Sequence, residues 1–172
     1  MTLMPDAPHK TYIVQGEQAI GFRPDHMVNT ILGSCVSVCL WDSARSIGGM
    51  NHILLPEAQS SALGAGASAM DRLINALMKA GAAKGDCKAK VFGGAAIVAG
   101  LSDIGARNAD FALSYLANEG IEVVAHSTGG RSARQIRFWP ATGQAQQRIV
   151  KASDVAPEPV IAVESGNDIE LL

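Results

Sequence analysis

Apolar positions along the chain follow two periods, and the places where one gives way to the other mark its elements. Residues 35–41 (CVSVCLW) carry β-branched residues at alternate positions and predict a strand, followed by the polar turn Asp42, Ser43, Ala44, Arg45 and a second strand ending at Leu55 and Pro56. Together they predict a hairpin. The period then changes. Met70, Leu73, Ile74, Leu77 and Met78 fall at i, i+3, i+4, i+7 and i+8 with Gly81 behind them, which predicts an amphipathic helix. A second helix is expected over residues 108–119, where Phe111/Tyr115 and Ala112/Leu116 are i, i+4 pairs and Gly120 supplies the C-terminal cap.

Shorter apolar runs fill in the rest. Strands are expected at residues 11–15 (TYIVQ), 88–92, 121–125, 134–139 and 148–151, with Gly93 and Gly94 as backbone punctuation and turns at 127–130 and 140–143. Residues 57–68 are rich in Ser, Ala and Gly and predict a mobile surface loop. Residues 1–10 read as a loose leader. The acidic tail, 156–172, carries Pro157 and Pro159 and is either a docked arm or disordered. No internal repeat is present, so residues 1–155 are expected to form one layered α+β domain, an α/β sandwich with mixed or antiparallel sheets and two main helices.

Composition narrows the function. With 172 residues, 48% of them apolar, the chain suits one compact domain. Fourteen Lys and Arg against sixteen Asp and Glu leave a net charge of −2 without a basic stripe, which argues against nucleic acid. No apolar run is long enough to span a bilayer, and MTLMPDAPHK lacks the apolar core of a signal peptide; the expectation is a cytoplasmic protein without membrane insertion. In a reducing compartment the three cysteines stay thiols, and each needs its own account.

Cys35 is the thiol with a prospective partner. If residues 42–45 form the hairpin loop, facing positions sum to 87 and Cys35 lies opposite His52, with Cβ atoms roughly 4.5–5.5 Å apart. A one-residue slip, or a bulge at Gly48 and Gly49, would undo that pairing. An adjacent imidazolium lowers a thiol pKa until the thiolate is populated at neutral pH, and backbone N–H groups near Gly33 and Ser34 could hold the oxyanion formed when a carbonyl is attacked. The combination suits acyl-transfer chemistry on an amide or ester.

Plainer readings stand beside this one. A cysteine in an apolar strand is usually a small core residue, and Cys39 belongs to that class. Cys39 sits about 13 Å along the strand from Cys35 at ~3.3 Å per residue, too far to share a metal ion with it. Cys87, in GDCK, has no visible partner. A lone histidine is most often structural. His126 is a serious rival base, His26 and His9 are further ones, and His9 in the leader is the weakest.

The motifs LGSCVSVCLWD, GGMNHILLP, KVFGGA, IGARN, HSTGGRSARQIRF and PATG, in that order over residues 11–151, resemble the CheD family of chemoreceptor glutamine deamidases. The resemblance implies a cysteine hydrolase that needs no metal or organic cofactor and converts glutamines of receptor cytoplasmic helices to glutamate, with some members also cleaving receptor methyl esters. It implies Cys35 as nucleophile, His52 as general base and a fold related to a deamidating toxin. Its partners would be chemoreceptors and, for some members, CheC-type phosphatases. The family's threonine before the GSC turn is expected six positions before Cys35, where this chain has Asn29, with Thr30 one place later; either could orient the imidazole. The stretch LGAGASAMD and His126 also depart from the family pattern. The departures at Asn29 and in residues 62–68 favour an alternative, a catalytically weak adaptor that binds receptor or phosphatase with the same fold, while the intact Cys35/His52 pair favours the enzyme. A cysteine hydrolase acting on another amide or ester is a third possibility.

Overall fold

A computed structural model of the chain describes residues 9–56, 59–97, 102–151 and 169–172. Ten strands and two helices follow in the order β1 (Lys10–Tyr12), β2 (Gln18–Gly21), β3 (Met27–Leu32), β4 (Val36–Asp42), β5 (Ile47–Asn51), α1 (Gln59–Lys79), β6 (Cys87–Gly93), α2 (Ser102–Asn118), β7 (Glu122–Thr128), β8 (Ala133–Trp139), β9 (Gln144–Val150) and β10 (Ile169–Leu171). The strands form two five-stranded sheets, β1-β3-β8-β9-β10 and β2-β5-β4-β6-β7. Pairing is antiparallel except for β1 with β3 and β6 with β7. Two mixed sheets and two main helices are the layered α+β class expected from the pattern.

The middle strand shows how the layers stack. Every residue of β4 is buried. Its even positions, Val36, Val38 and Leu40, pack with Met70, Leu73 and Leu77 of α1 and Ala112 and Leu116 of α2. Its odd positions, Cys39 and Trp41, pack with Val28, Leu32, Ile136 and Phe138 of the other sheet. The second sheet is therefore the centre of three layers. Full burial of side chains such as Leu73 and Leu77, each worth about 1.5–3 kcal/mol, ties the helices to it.

Several elements differ from the sequence expectation, each for a physical reason. The expected loop at residues 57–68 is instead the first half of α1, from Gln59 onward, while 57 and 58 lie outside the described residues. One of its small residues is needed for close packing. A Cβ on Gly66 would lie 2.6 Å from Leu55 Cδ2 and from the Phe111 ring. Helix α2 likewise starts earlier than expected, at Ser102, and Gly120 with φ +70° ends it as expected, the Ile121 N–H reaching the Leu116 carbonyl. The first strand is Lys10–Tyr12 rather than 11–15, and the sequence reading missed β2 and β3 altogether. Cys87 opens β6 instead of lying in a loop.

The hairpin register also differs from the expected one. Asp42 still pairs, with Ile47, so the four-residue loop is 43–46 and facing positions sum to 89. The Asp42 carboxylate accepts the Ala44 and Arg45 N–H groups and the Arg45 guanidinium, folding the turn around its own side chain while its backbone stays in the ladder. Ser46 completes the reversal with φ 56°. Carried to the isolated Val36–Ile53 bridge, this register sets Cys35 diagonal to His52 and not opposite it. A shift of two preserves the face, so both side chains still emerge on the same side.

Of the tail, residues 169–171 add a strand to β9 and the Leu172 N–H donates to the Ala145 carbonyl, which makes the described end a docked arm; residues 152–168 lie outside the description. The buried Lys90 lies over the Trp41 ring and donates to the Leu172 carbonyl oxygen. Of the expected leader, 1–8 lie outside the described residues.

Candidate active site

Gly33, Ser34 and Cys35 are the whole connection between β3 in one sheet and β4 in the other. A link that short turns abruptly at the rim of the sandwich and leaves its carbonyls without ladder partners. Each has found another. The Ala95 N–H donates to the Gly33 carbonyl (3.0 Å), Asn108 Nδ2 to that of Ser34 (2.7 Å) and the Gly94 N–H to that of Cys35 (2.8 Å). Among the described residues the Ser34 N–H donates to no partner and the Cys35 N–H to none beyond its own side chain. The turn is thus fixed through its acceptors and keeps donors in hand.

Glycine at position 93 is what lets this happen. It has φ +112°, and a Cβ there would lie 2.2 Å from the Cys35 carbonyl oxygen. The expectation of simple punctuation at Gly93 and Gly94 understates it, because the pair forms the bed of the Cys35 turn.

His52 follows β5, where the ladder to β4 breaks. The Asn51 side chain takes the place of a backbone acceptor for the Val38 N–H (2.9 Å), while the His52 N–H donates to the Glu17 carbonyl and its own carbonyl accepts the Gly16 N–H. Both backbone groups of His52 are thereby tied to the segment leading into β2. Its ring meets Thr30 of β3, Nδ1 to Oγ1 at 2.8 Å. Thr30 Oγ1 also lies 2.7 Å from the Ile13 carbonyl oxygen, which can only accept. The single hydroxyl proton therefore goes to Ile13, Thr30 accepts from Nδ1–H, and the Nε2 lone pair is left as a base. Of the two candidates for orienting the ring, Thr30 makes this contact. Asn29 instead accepts from Gln135 Nε2 on the neighbouring strand.

Electrostatics do not match an ion pair at rest. Burial holds the His52 pKa down at about 4, against smaller upward pulls from the Ile13 backbone and Glu17. Burial also pushes the Cys35 thiol above its ordinary value of 9.0, opposed by its own backbone N–H. Among the described residues no hydrogen bond joins Cys35 Sγ to His52. The expected imidazolium beside a thiolate is therefore corrected: the resting pair is neutral imidazole and neutral thiol. A recess of about 180 Å³ opens beside His52, lined among others by Glu17, Gln18, Asn51, Pro56 and Arg72.

The rival residues lie elsewhere. His26 is buried, hydrogen-bonded to Thr11 at 2.8 Å and edge-on to His9. His126 is exposed on β7, the edge strand beyond β6, where it pairs with Val91. Cys39 is wholly buried between the sheets, and buried Cys87 donates to the Ala83 carbonyl. Among the described residues no group of three His, Cys, Asp or Glu could hold a metal ion. Asn51 and Asn108 escaped the sequence reading. Their only signal was an amide beside each of two quoted motif residues, the His of MNH and the Arg of ARN.

The sequence profile of the family described as "CheD chemotactic sensory transduction" matches residues 54–149. A protein of Acidiphilium cryptum (strain JF-5) named "Probable chemoreceptor glutamine deamidase CheD" is 48% identical over 159 residues, which cover 88% of this chain and 84% of that one. Proteins of the same name from Caulobacter vibrioides (strain NA1000 / CB15N) and Agrobacterium fabrum are 43% and 41% identical, covering 97% and 98% of this chain and 95% and 99% of their own. Among solved structures, a Neisseria meningitidis protein overlaps 71% of this chain and 64% of its own at 14% identity, with a TM-score of 0.47.

Proposed function

The chain belongs to the CheD family, and on that premise we propose that it deamidates glutamine side chains of chemoreceptor cytoplasmic helices, with Cys35 as nucleophile, His52 as base and Thr30 orienting the ring. The observation that carries the reading is the Ile13–Thr30–His52 relay, which fixes the tautomer a general base needs. A histidine kept neutral by burial presents the free Nε2 lone pair that a general base requires.

The chemistry then runs from neutral groups. As the glutamine carboxamide enters, His52 Nε2 takes the Cys35 proton while Sγ attacks the carbonyl carbon, and the carbon–sulfur bond forms. The oxyanion is held by the N–H groups of Ser34 and Cys35, neither of which donates to another residue, at the turn where Gly33 and Ser34 were expected to serve. His52 passes its proton to nitrogen, the carbon–nitrogen bond breaks and ammonia leaves a thioester on Cys35. Water, giving a proton to the same imidazole, attacks that thioester; the carbon–sulfur bond breaks, glutamate departs and Cys35 recovers its proton. The receptor helix gains a negative charge, a local electrostatic change of the sort that biases signalling.

Receptor helices on the inner side of a membrane make this a cytoplasmic activity, and among the described residues no helix is long and apolar enough to cross a membrane. The family resemblance supports a CheC-type phosphatase as a second partner. The adaptor reading draws on one specific observation, the absence of a Cys35–His52 hydrogen bond, and the same assay separates the two. Mass spectrometry of a receptor cytoplasmic fragment should show the roughly 1 Da gain of glutamine becoming glutamate with the wild-type protein and none with Cys35→Ala. A fragment left unchanged by both, across several receptors, would put the adaptor first.

A further inference from the structure

Asn108 lies on α2, with no exposed surface, and both ends of its amide are used. Nδ2 donates to the Ser34 carbonyl at 2.7 Å, and Oδ1 accepts the Leu55 N–H at 3.0 Å. Ser34 precedes Cys35; Leu55 follows His52 by three residues. One side chain thus spans the two segments that carry the proposed nucleophile and base. We infer that Asn108 is a positioning residue that sets the Cys35 turn against the His52 segment, an inference that rests on the roles proposed for those two residues.

The chemistry of the clamp explains the residue type. Joining a carbonyl to an N–H through one side chain requires a donor and an acceptor on the same head, which an amide has and an ionised carboxylate lacks. The surroundings hold that head in place. One turn earlier, a Cβ on Gly105 would lie 2.5 Å from the Gly94 and Ala95 carbonyl oxygens, so α2 is pressed against the loop whose N–H groups hold the Cys35 and Gly33 carbonyls. Beside it, Arg107 donates to the Pro56 carbonyl. The first turns of α2 therefore grip both halves of the site, and Asn108 bonds to each.

Two variants separate positioning from mere support of the fold. Asn108→Ala removes both bonds; Asn108→Asp keeps an acceptor for Leu55 and loses the donor to Ser34. Each is assayed for deamidation of a receptor cytoplasmic fragment and, separately, for the rate at which iodoacetamide labels Cys35, Cys39 and Cys87, read peptide by peptide by mass spectrometry. The buried Cys39 and Cys87 report the fold. Loss of positioning should lower kcat about 10- to 100-fold with KM within about twofold. It should also make Cys35 label several-fold faster while Cys39 and Cys87 stay as protected as in the wild type. Wild-type kcat with unchanged Cys35 labelling in either variant would overturn the inference, and so would labelling of Cys39 and Cys87 that rises with the loss of activity in both variants. If the wild type does not deamidate, the proposed function fails, while the labelling rates still show whether Asn108 holds the Cys35 turn.

Discussion

Cys35, in the link just before β4, and Cys39, within β4, lie four residues apart, yet they occupy different kinds of site. Around Cys39 the ladder is complete: Met50 pairs on one side and Lys90 on the other, and Phe92, Trp41 and Phe138 share its packing cluster. Around Cys35 the ladder has ended. A three-residue link crosses between sheets there, Gly94, Ala95 and Asn108 bond its carbonyls, and N–H donors are left over. Both thiols are pushed upward by burial, Cys39 the further of the two. Thiol acidity therefore does not mark out Cys35. What does is that a substrate carbonyl placed at the rim could meet a base, N–H donors and the sulfur together, whereas Cys39 sits in a strand paired on both sides.

Replacing the two thiols breaks this comparison most sharply. Cys35→Ala should lower deamidation by about 10³-fold or more and leave stability nearly unchanged. Cys39→Ala should do the reverse, costing about 1–2 kcal/mol for the cavity and little activity, as chemical denaturation and a receptor-fragment assay would show. Next comes Thr30→Val, which takes away the acceptor for His52 Nδ1–H and the donor to Ile13. A kcat about 10- to 100-fold lower and a stability loss of about 1–3 kcal/mol are expected, whereas Asn29→Ala, whose side chain bonds Gln135 and not the ring, should keep kcat within a few-fold.

Two glycines sharpen the comparison at the backbone. Gly93→Ala puts a Cβ against the Cys35 carbonyl at positive φ and should cost about 3 kcal/mol together with activity. Gly129 also has positive φ but open space around it, so Gly129→Ala should cost only about 1 kcal/mol and leave kcat alone. The remaining effects are in pH. Since the folded state depresses the His52 pKa from 6.5 to about 4, the unfolded chain binds the extra proton first; stability falls as pH drops from about 6.5 and levels off below about 4. Activity should therefore hold down to a similar pH instead of fading at 6.5, and His52→Gln should flatten the acid slope of stability measured by denaturant titration. Alkylation of Cys35 in the free protein should be slow at pH 7 and climb only above about 9.

The sequence made the outline of this site legible more readily than its geometry. Long periodic stretches such as Met70 to Met78 named their helix, and the cysteine and histidine stood out by type and motif. The register did not. Asp42 looks like a turn residue and is one, but its backbone also pairs with Ile47, and that double use moves the hairpin by two. Strand β3 was invisible because Asn29 and Thr30 put polar side chains in the middle of it, and Thr30 is buried for the sake of His52. The first half of α1 read as a loop because Gly64, Gly66 and its alanines have poor amphipathic contrast, although Gly66 is needed where Leu55 and Phe111 approach. Asn51 and Asn108 act through hydrogen bonds to partners distant in sequence, and no local pattern encodes such a bond.

The central claim is that the sulfur of Cys35 bonds to the glutamine carbon. Acid-quenching the protein within the first turnovers on a receptor fragment, then measuring intact and peptide masses, tests it directly. The account predicts an adduct on the Cys35 peptide equal to the fragment less ammonia, labile to hydroxylamine and missing from Cys35→Ala. Deamidation that continues at full rate in Cys35→Ala, with no adduct in the wild type at any quench time, would contradict it.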